Sequence, residues 1–454
     1  MKFRDLPLRR KKTVAVAMSG MLGLLSAMPV CAETEIEALK RELAEQKAMI
    51  QSILSAQEAQ KKLEIQTGGP SRGAGLQAGV PTGQPSPALT IYGVADVSYS
   101  NVNSGQGYKS NFGSGGYSSS RLGFKGEKAL DDDLSAVYLM EAGLLFNTGT
   151  VGSGAVTPGI NNGGISSGGQ TTSGAQVFSR QMYAGLKSGK FGQMTVGRQY
   201  AGSYLAAVTG NSLGAGLYGT SVGFLPTGGM PTRLNNSLVY ISPKLSGFYT
   251  YITLTSGSEN NTNTNVPDGT KTTNDKAGQG ADFALFYGNG SPLNAAFTTW
   301  SINNTTYDTA KGENGLARKT GWQLSANYDL GLAKIYGTYV AGRITGGNYE
   351  NGTAAYSKSS GWSLSAGVPF GKSQAYLSYT HFDDKSSANK DGNLLGLAYT
   401  YKFVESTLFY ATWGKMLNNA NSSYSLTDGG NLVGEVKTKG FDPNGVMLGV
   451  NHVF

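Results

Sequence analysis

The sequence predicts an all-β protein: a 16-stranded antiparallel transmembrane β-barrel preceded by a short periplasmic coiled-coil helix. Three observations predict it. From Leu89 to the last residue, runs of alternating apolar and polar residues recur, each close to the ~10 residues that one tilted strand needs to cross a bilayer. The 454 residues include 66 Gly, 25 Tyr and 17 Phe, yet only 39% are apolar. That is low for a soluble core of this size, and it suits strands with one face in water and aromatic rims. Short turns also alternate with long loops rich in Asn, Ser, Gly and Thr, as the two rims of such a barrel require. A soluble sandwich needs no such asymmetry. By composition, a secreted Gly-rich adhesin or a β-solenoid is the competing class. After the first 32 residues no segment approaches 18 apolar residues, which excludes spanning helices.

Residues 1–32 read as a signal peptide. Lys2, Arg4, Arg9, Arg10, Lys11 and Lys12 form its basic region, Thr13–Pro29 is mostly apolar, and Val30-Cys31-Ala32 ends small. Cleavage after Ala32 removes the lone Cys31, six of the 37 Lys/Arg and one of the 29 Asp/Glu. The remaining 31 bases against 28 acids leave +3, so the basic balance is largely a targeting effect and makes no case for nucleic acid. A Cys-free mature chain suits an exported protein that does not rely on disulfides.

Residues 33–66 differ in kind. Ile36, Leu39, Leu43, Ile50 and Ile53 fall at heptad a and d spacing, and Glu37→Arg41 is a favourable i,i+4 pair. About four heptads with Ile at both seams predict a short coiled coil leaning toward three strands. A lone amphipathic helix docking elsewhere is the alternative. Because the first strand enters from the periplasm, this segment is expected there, where it could reach peptidoglycan. Residues 67–88, rich in Gly and Pro, read as a linker.

The barrel is expected over 89–454, with strands near 89–100, 116–127, 134–146, 175–187, 190–200, 233–242, 245–257, 280–288, 293–303, 319–330, 332–343, 359–369, 372–383, 391–402, 405–415 and 443–454. The hairpin at 177–200 is followed by Ala201–Thr232, a Gly-rich loop without a charged residue, which ends at Arg233. That order suits a barrel narrowed from within.

Alternation decides which way side chains point. Leu122 and Phe124 toward lipid put Arg121, Gly123, Lys125 and Glu127 in the lumen. Tyr183 outward puts Arg180 inward. Leu234, Leu238 and Tyr240 outward put Arg233 inward. Glu141, opposite in phase to Tyr138 and Met140, should face the lumen and hold one of these arginines, and Asp96 is a weaker lumenal acid. Charge on the lipid face costs ~2–4 kcal/mol at mid-bilayer, which favours these placements. Arg198 shares a face with Met194 and Val196 and is sent outward. Phe454, His452, Val450, Leu448 and Val446 share the outward face of the last strand.

Several stretches resemble the trimeric general-diffusion porins of Gram-negative bacteria, especially the β-proteobacterial branch. They are LTIYGVADVSYS at 89–100, SSRLGFKGEKAL at 119–130, YLMEAG at 138–143, SRQMYAGLKSGKFGQMTVGRQY at 179–200, RLNNSLVYISP at 233–243 and the final GVMLGVNHVF. The resemblance implies a homotrimer in outer-membrane lipid. It places Arg121, Arg180 and Arg233 on one wall of a constriction and Arg198 in the subunit interface. It has the loop at 201–232 fold into the barrel, and it has Phe454 close the barrel and be read by the outer-membrane assembly machinery. Many relatives carry acids on that loop, and here there are none.

The expected function is a passive channel for small hydrophilic solutes that favours anions. A substrate-specific channel for phosphate or organic acids, or a linker from outer membrane to cell wall, are the alternatives. An enzyme is not expected: His381 and His452 lie on separate strands, and no Ser/His or Asp/His motif is present. No cofactor or metal site is expected, since Asp131-Asp132-Asp133 reads most simply as a solvated turn.

Overall fold

The computed structural model describes residues 89–152, 177–222, 230–257, 278–308, 313–345, 348–349, 353–354, 357–428, 431–432 and 436–454. The expected signal peptide, coiled coil and linker lie outside the described residues. Sixteen long strands close into an antiparallel barrel. They are β1 Thr90–Asn103, β2 Arg121–Ala129, β3 Leu134–Leu145, β4 Gln181–Ser188, β5 Gly192–Tyr200, β6 Arg233–Ile241, β7 Phe248–Thr255 and β8 Gly280–Tyr287. They continue as β9 Leu293–Asp308, β10 Glu313–Asp329, β11 Lys334–Thr345, β12 Ser357–Phe370, β13 Ser373–Asp384, β14 Gly392–Val404, β15 Thr407–Asn418 and β16 Asn444–Val453. Each pairs with its sequence neighbour, and β16 pairs with β1 from Val94↔Val453 to Asn103↔Asn444, which leaves no free wall edge there.

The two faces of the wall divide as alternation requires. Leu324, Leu364, Leu377, Leu397 and Leu448 are exposed on the outside. Thr298, Gln323, Ser363, Ser378 and Thr380 are buried on the inside. Small hydroxyls toward the lumen and leucines toward lipid are what a spanning strand needs on its two sides.

Glycines opposite aromatic rings fix how neighbouring strands lock. Tyr92 pairs with Gly123, Trp300 with Gly321, Tyr376 with Gly367 and Tyr410 with Gly449. At each of these glycines a Cβ would fall within 3.0 Å of the partner ring. The ring therefore lies flat on bare backbone, filling the gap left by the missing side chain. The closure uses the same device. Gly93 and Phe454 exchange two backbone hydrogen bonds, N to O at 2.8 and 3.1 Å, and a Cβ on Gly93 would stand 2.3 Å from the Phe454 ring. Val446, Leu448 and Phe454 are exposed, so the last strand turns the expected face outward.

Four elements depart from the sequence expectations. The fourth strand, expected at 175–187, begins only at Gln181. The second strand, expected at 116–127, is broken. Tyr108–Ser114 pairs with the upper half of β1, β2 pairs with the lower half, and residues 115–120 fold inward between them. The cause is Asp96, whose carboxylate accepts the amides of Tyr117 (3.1 Å) and Ser118 (2.9 Å). The hairpin β9–β10 runs to Asp308 and Glu313, beyond the expected 303 and 319, because the ladder continues unbroken from Asn303↔Arg318 to Asp308↔Glu313. The loop after β5 holds a helix, α1 Gly202–Thr209, that strand periodicity could not reveal.

Gly93→Val should displace the Phe454 ring and cost about 1–3 kcal/mol of overpacking. Heat-modifiability gels should show less folded barrel. Gly337→Ala, whose added carbon meets nothing nearer than 3.9 Å, should fold as the wild type does.

Candidate functional site

The expected charged residues gather where β2 to β6 meet the loop that leaves β5. Glu141, on β3, is buried. A carboxylate there needs close partners, because an unmatched buried charge costs several kcal/mol. It has three: Arg180 Nε donates at 2.6 Å, the Tyr92 hydroxyl donates at 2.8 Å, and Arg121 Nε stands at 3.5 Å. Arg121 also donates to the Ser119 carbonyl at 3.0 Å, holding the inward fold of 115–120.

Tyr200, the last residue of β5, joins this group to the third arginine. Its hydroxyl accepts from Arg180 Nη2 and from Arg233 Nη2, both at 2.6 Å. The Arg233 guanidinium carbon lies 4.4 Å from the Tyr200 ring centroid, and Tyr204 of α1 stacks on that ring at 5.0 Å. Three guanidiniums and one carboxylate thus share a single cluster with a formal charge of +2. Its members differ in access: Arg180 and Arg233 are each 3% exposed, whereas the Arg121 side chain is 14% exposed. Arg121 and the exposed Lys125 of β2 are the cations that meet lumenal water directly.

Two side chains face the opposite way from the expected one. On β4, Met182 and Leu186 are exposed, so Tyr183 turns inward rather than outward. On β6, Leu234 is buried against Ala201 and Ile302, although Leu238 and Tyr240 do face out. Asn236 has φ 46°, and the β5–β6 register slips between Gly197 and Gln199, so alternation fails at this bulge. Arg180 and Arg233 stand at strand ends, Arg180 buried against Glu141 and Tyr200 and Arg233 where the buried loop rejoins the wall.

The loop is anchored at several of its described residues. Ala201 N donates to the Thr232 carbonyl at 3.1 Å, closing its neck. Asp282 on β8 accepts the Ser203 amide at 3.2 Å and so caps α1, whose own N-cap, Ala201, offers no side-chain acceptor. Farther on, Asn327 Nδ2 donates to the Thr209 carbonyl at 2.8 Å and the Ser212 amide donates to Ser365 Oγ at 3.0 Å. Thr412 Oγ1 donates to the Tyr218 carbonyl at 3.3 Å. Gly219 and Gly396 approach so closely that a Cβ on either would strike the other's Cα. Leu213, Leu217 and Tyr218 are fully buried, in one apolar cluster with Leu394, Tyr410, Met416 and Met447 of the wall.

The other expected site residues are placed as follows. Asp96 faces inward but is fully enclosed, accepting from Tyr410 at 2.7 Å and Asn451 at 2.8 Å besides the two loop amides. Lys125 Nζ stands 5.3 Å from the Tyr92 ring centroid. Arg198 is half-buried at the bulge, donating to the Ser179 carbonyl at 2.7 Å and to Asn235 Oδ1. Asp131 sits in a turn, accepting the amides of Asp133 (2.9 Å) and Leu134 (2.7 Å), which hold its carboxyl below the usual range. Tyr92, Tyr200 and Asp282 were not anticipated. Only Asp282 left a trace in the sequence: an acid amid the alternation of GADFALFY, which lipid would exclude.

A profile of Gram-negative porins matches residues 68–421. The chain belongs to the Gram-negative porin family. It is 28% identical over 182 residues to an outer-membrane porin protein of Bordetella pertussis, an alignment spanning 36% of this chain and 42% of that relative. Among solved structures it is similar to an anion-selective porin from Comamonas acidovorans, with TM-score 0.58 and 19% identity over 81% of this chain and 99% of that one. It is also similar to the trimer form of OmpT from Vibrio cholerae, with TM-score 0.55 and 15% identity over 82% and 100%. At these identities the structures show a shared fold.

Arg180→Met should leave Glu141 buried beside weaker partners and lower stability by about 3–5 kcal/mol. Urea unfolding in detergent micelles would read the loss. Adding Glu141→Leu should recover part of it, because the stranded charge is then gone.

Proposed function

We propose that this porin is a passive outer-membrane channel for small hydrophilic solutes and that it favours anions. The observation that carries the reading is the cluster itself: Arg121, Arg180 and Arg233 against the single carboxylate of Glu141, beside a loop without acids. A unit charge about 7 Å from a permeating ion is worth roughly 0.6–2.4 kcal/mol at an effective ε of 80 to 20. A surplus of two such charges supplies the ~1.4 kcal/mol of a tenfold bias. Burial of Arg180 and Arg233 strengthens their part, because water and salt screen buried charges less than exposed ones. The likeness to an anion-selective porin supports the same sign.

A homotrimer in outer-membrane lipid belongs to this reading, supported by the likeness to a porin in trimer form. Arg198 is assigned to the subunit interface and Phe454 to recognition by the assembly machinery. The ring of Phe454 seated on Gly93 supports a part in closure. The segment 33–66 is assigned to the periplasm as a trimeric coiled coil within reach of peptidoglycan. A cell-wall pull-down with that segment deleted tests the linker role apart from conduction.

Replacing Arg121, Arg180 and Arg233 together by Gln removes three positive charges and keeps much of their bulk. Reversal potentials in a KCl gradient should move from anion-selective toward neutral or cation-selective, most strongly at low salt. A cation-selective wild type, or a triple variant with the wild-type reversal potential, refutes the reading.

A further inference from the structure

Beside the cluster, the lumenal wall holds a fixed aromatic plate with a cation at its face. The Tyr92 hydroxyl is tied to Glu141 at 2.8 Å, so the ring cannot swing. One face of the ring lies on Gly123, where a Cβ would fall 2.2 Å from Cζ. Tyr92 is half-buried, with the ammonium of Lys125 over its ring. Lys125, two residues along the same strand, places Nζ 5.3 Å from the ring centroid. No carboxylate among the described residues forms an ion pair with Lys125. The nearest acid in sequence, Glu127, is occupied by Lys187 at 2.9 Å.

We propose that Tyr92 and Lys125 form a binding station for planar aromatic carboxylates. The benzoate type of anion fits both halves. Its ring takes the place over Tyr92 that the ammonium of Lys125 holds, and its carboxylate pairs with that ammonium, whose flexible stem lets it move to the ring edge. An aliphatic acid of the same charge gains only the second contact. Aromatic stacking adds about 0.5–1.5 kcal/mol beyond area burial, which corresponds to about a two- to twelvefold preference. Gly123 is integral to the station, since any side chain there would lift the ring from the wall.

The inference rests on the channel reading for its biological sense, but its test does not need conduction. Ligand-observed NMR on the full mature chain, refolded in detergent micelles, would give dissociation constants for benzoate and for cyclohexanecarboxylate. These have the same charge and similar bulk, but only benzoate is planar. The wild type should bind benzoate about two- to twelvefold more tightly. Lys125→Gln, an exposed substitution, should weaken both acids, and Tyr92→Leu should abolish the difference between them. Equal affinities in the wild type, unchanged benzoate binding in Lys125→Gln, or a preference that survives Tyr92→Leu would each overturn the proposal. Bilayer recordings on the same preparation separate the two ideas: absent current removes the channel reading and leaves the binding result standing.

Discussion

A charge taken out of water must be matched where it lies, and Glu141 is the clearest instance in this chain. Its carboxylate is buried in the wall and is satisfied only by Arg180, Tyr92 and Arg121 together. Each partner carries the constraint onward. Tyr92 is held flat on Gly123, Arg121 holds the inward fold at 115–120, and Arg180 reaches Tyr200, where the loop begins. Four separate segments of sequence therefore depend on one acid. Because Arg233 meets the same tyrosine, the cluster holds both ends of the loop, and its surplus positive charge stays inside the barrel.

The loop itself is built to lie against the wall without charge. Its described contacts are an apolar cluster around Leu213, Leu217 and Tyr218, backbone groups meeting Ser, Thr and Asn side chains of distant strands, and glycine on glycine at Gly219 and Gly396. Such contacts need close approach more than side-chain chemistry, which explains both the glycines of 201–232 and the absence of charged residues. Among the described residues, the carboxylate that fixes the loop comes from the wall, where Asp282 caps α1. The loop itself carries no acid to oppose the arginines.

Period-two alternation made the wall legible. The sixteen strands, the short turns and the outward face of β16 all follow from it, because one face meets lipid and the other meets polar lumen. Alternation failed wherever the chain left the wall. The bulge at Asn236 reversed Leu234, and Asp96 broke the second strand by drawing Tyr117 and Ser118 inward. These are long-range hydrogen bonds and positive-φ kinks, neither of which has a local signature. The arginines could be named because charge in a spanning strand has few tolerable places. Tyr200 could not, because its partners lie 20 and 33 residues away in sequence. Glycines opposite aromatics had a pattern in the sequence, but it becomes visible only once the strand register is known.

The account rests on the loop being docked through the Tyr200 cluster as part of the packed interior. Hydrogen-exchange mass spectrometry on the detergent-refolded barrel tests this most directly. Peptides covering 201–222 should be protected to nearly the level of the strands, and Tyr200→Phe, which removes the shared hydroxyl and keeps the ring stack, should speed their exchange while β9 to β16 stay protected. Exchange of 201–222 in the wild type as fast as that of an exposed loop such as 385–390 would contradict the account.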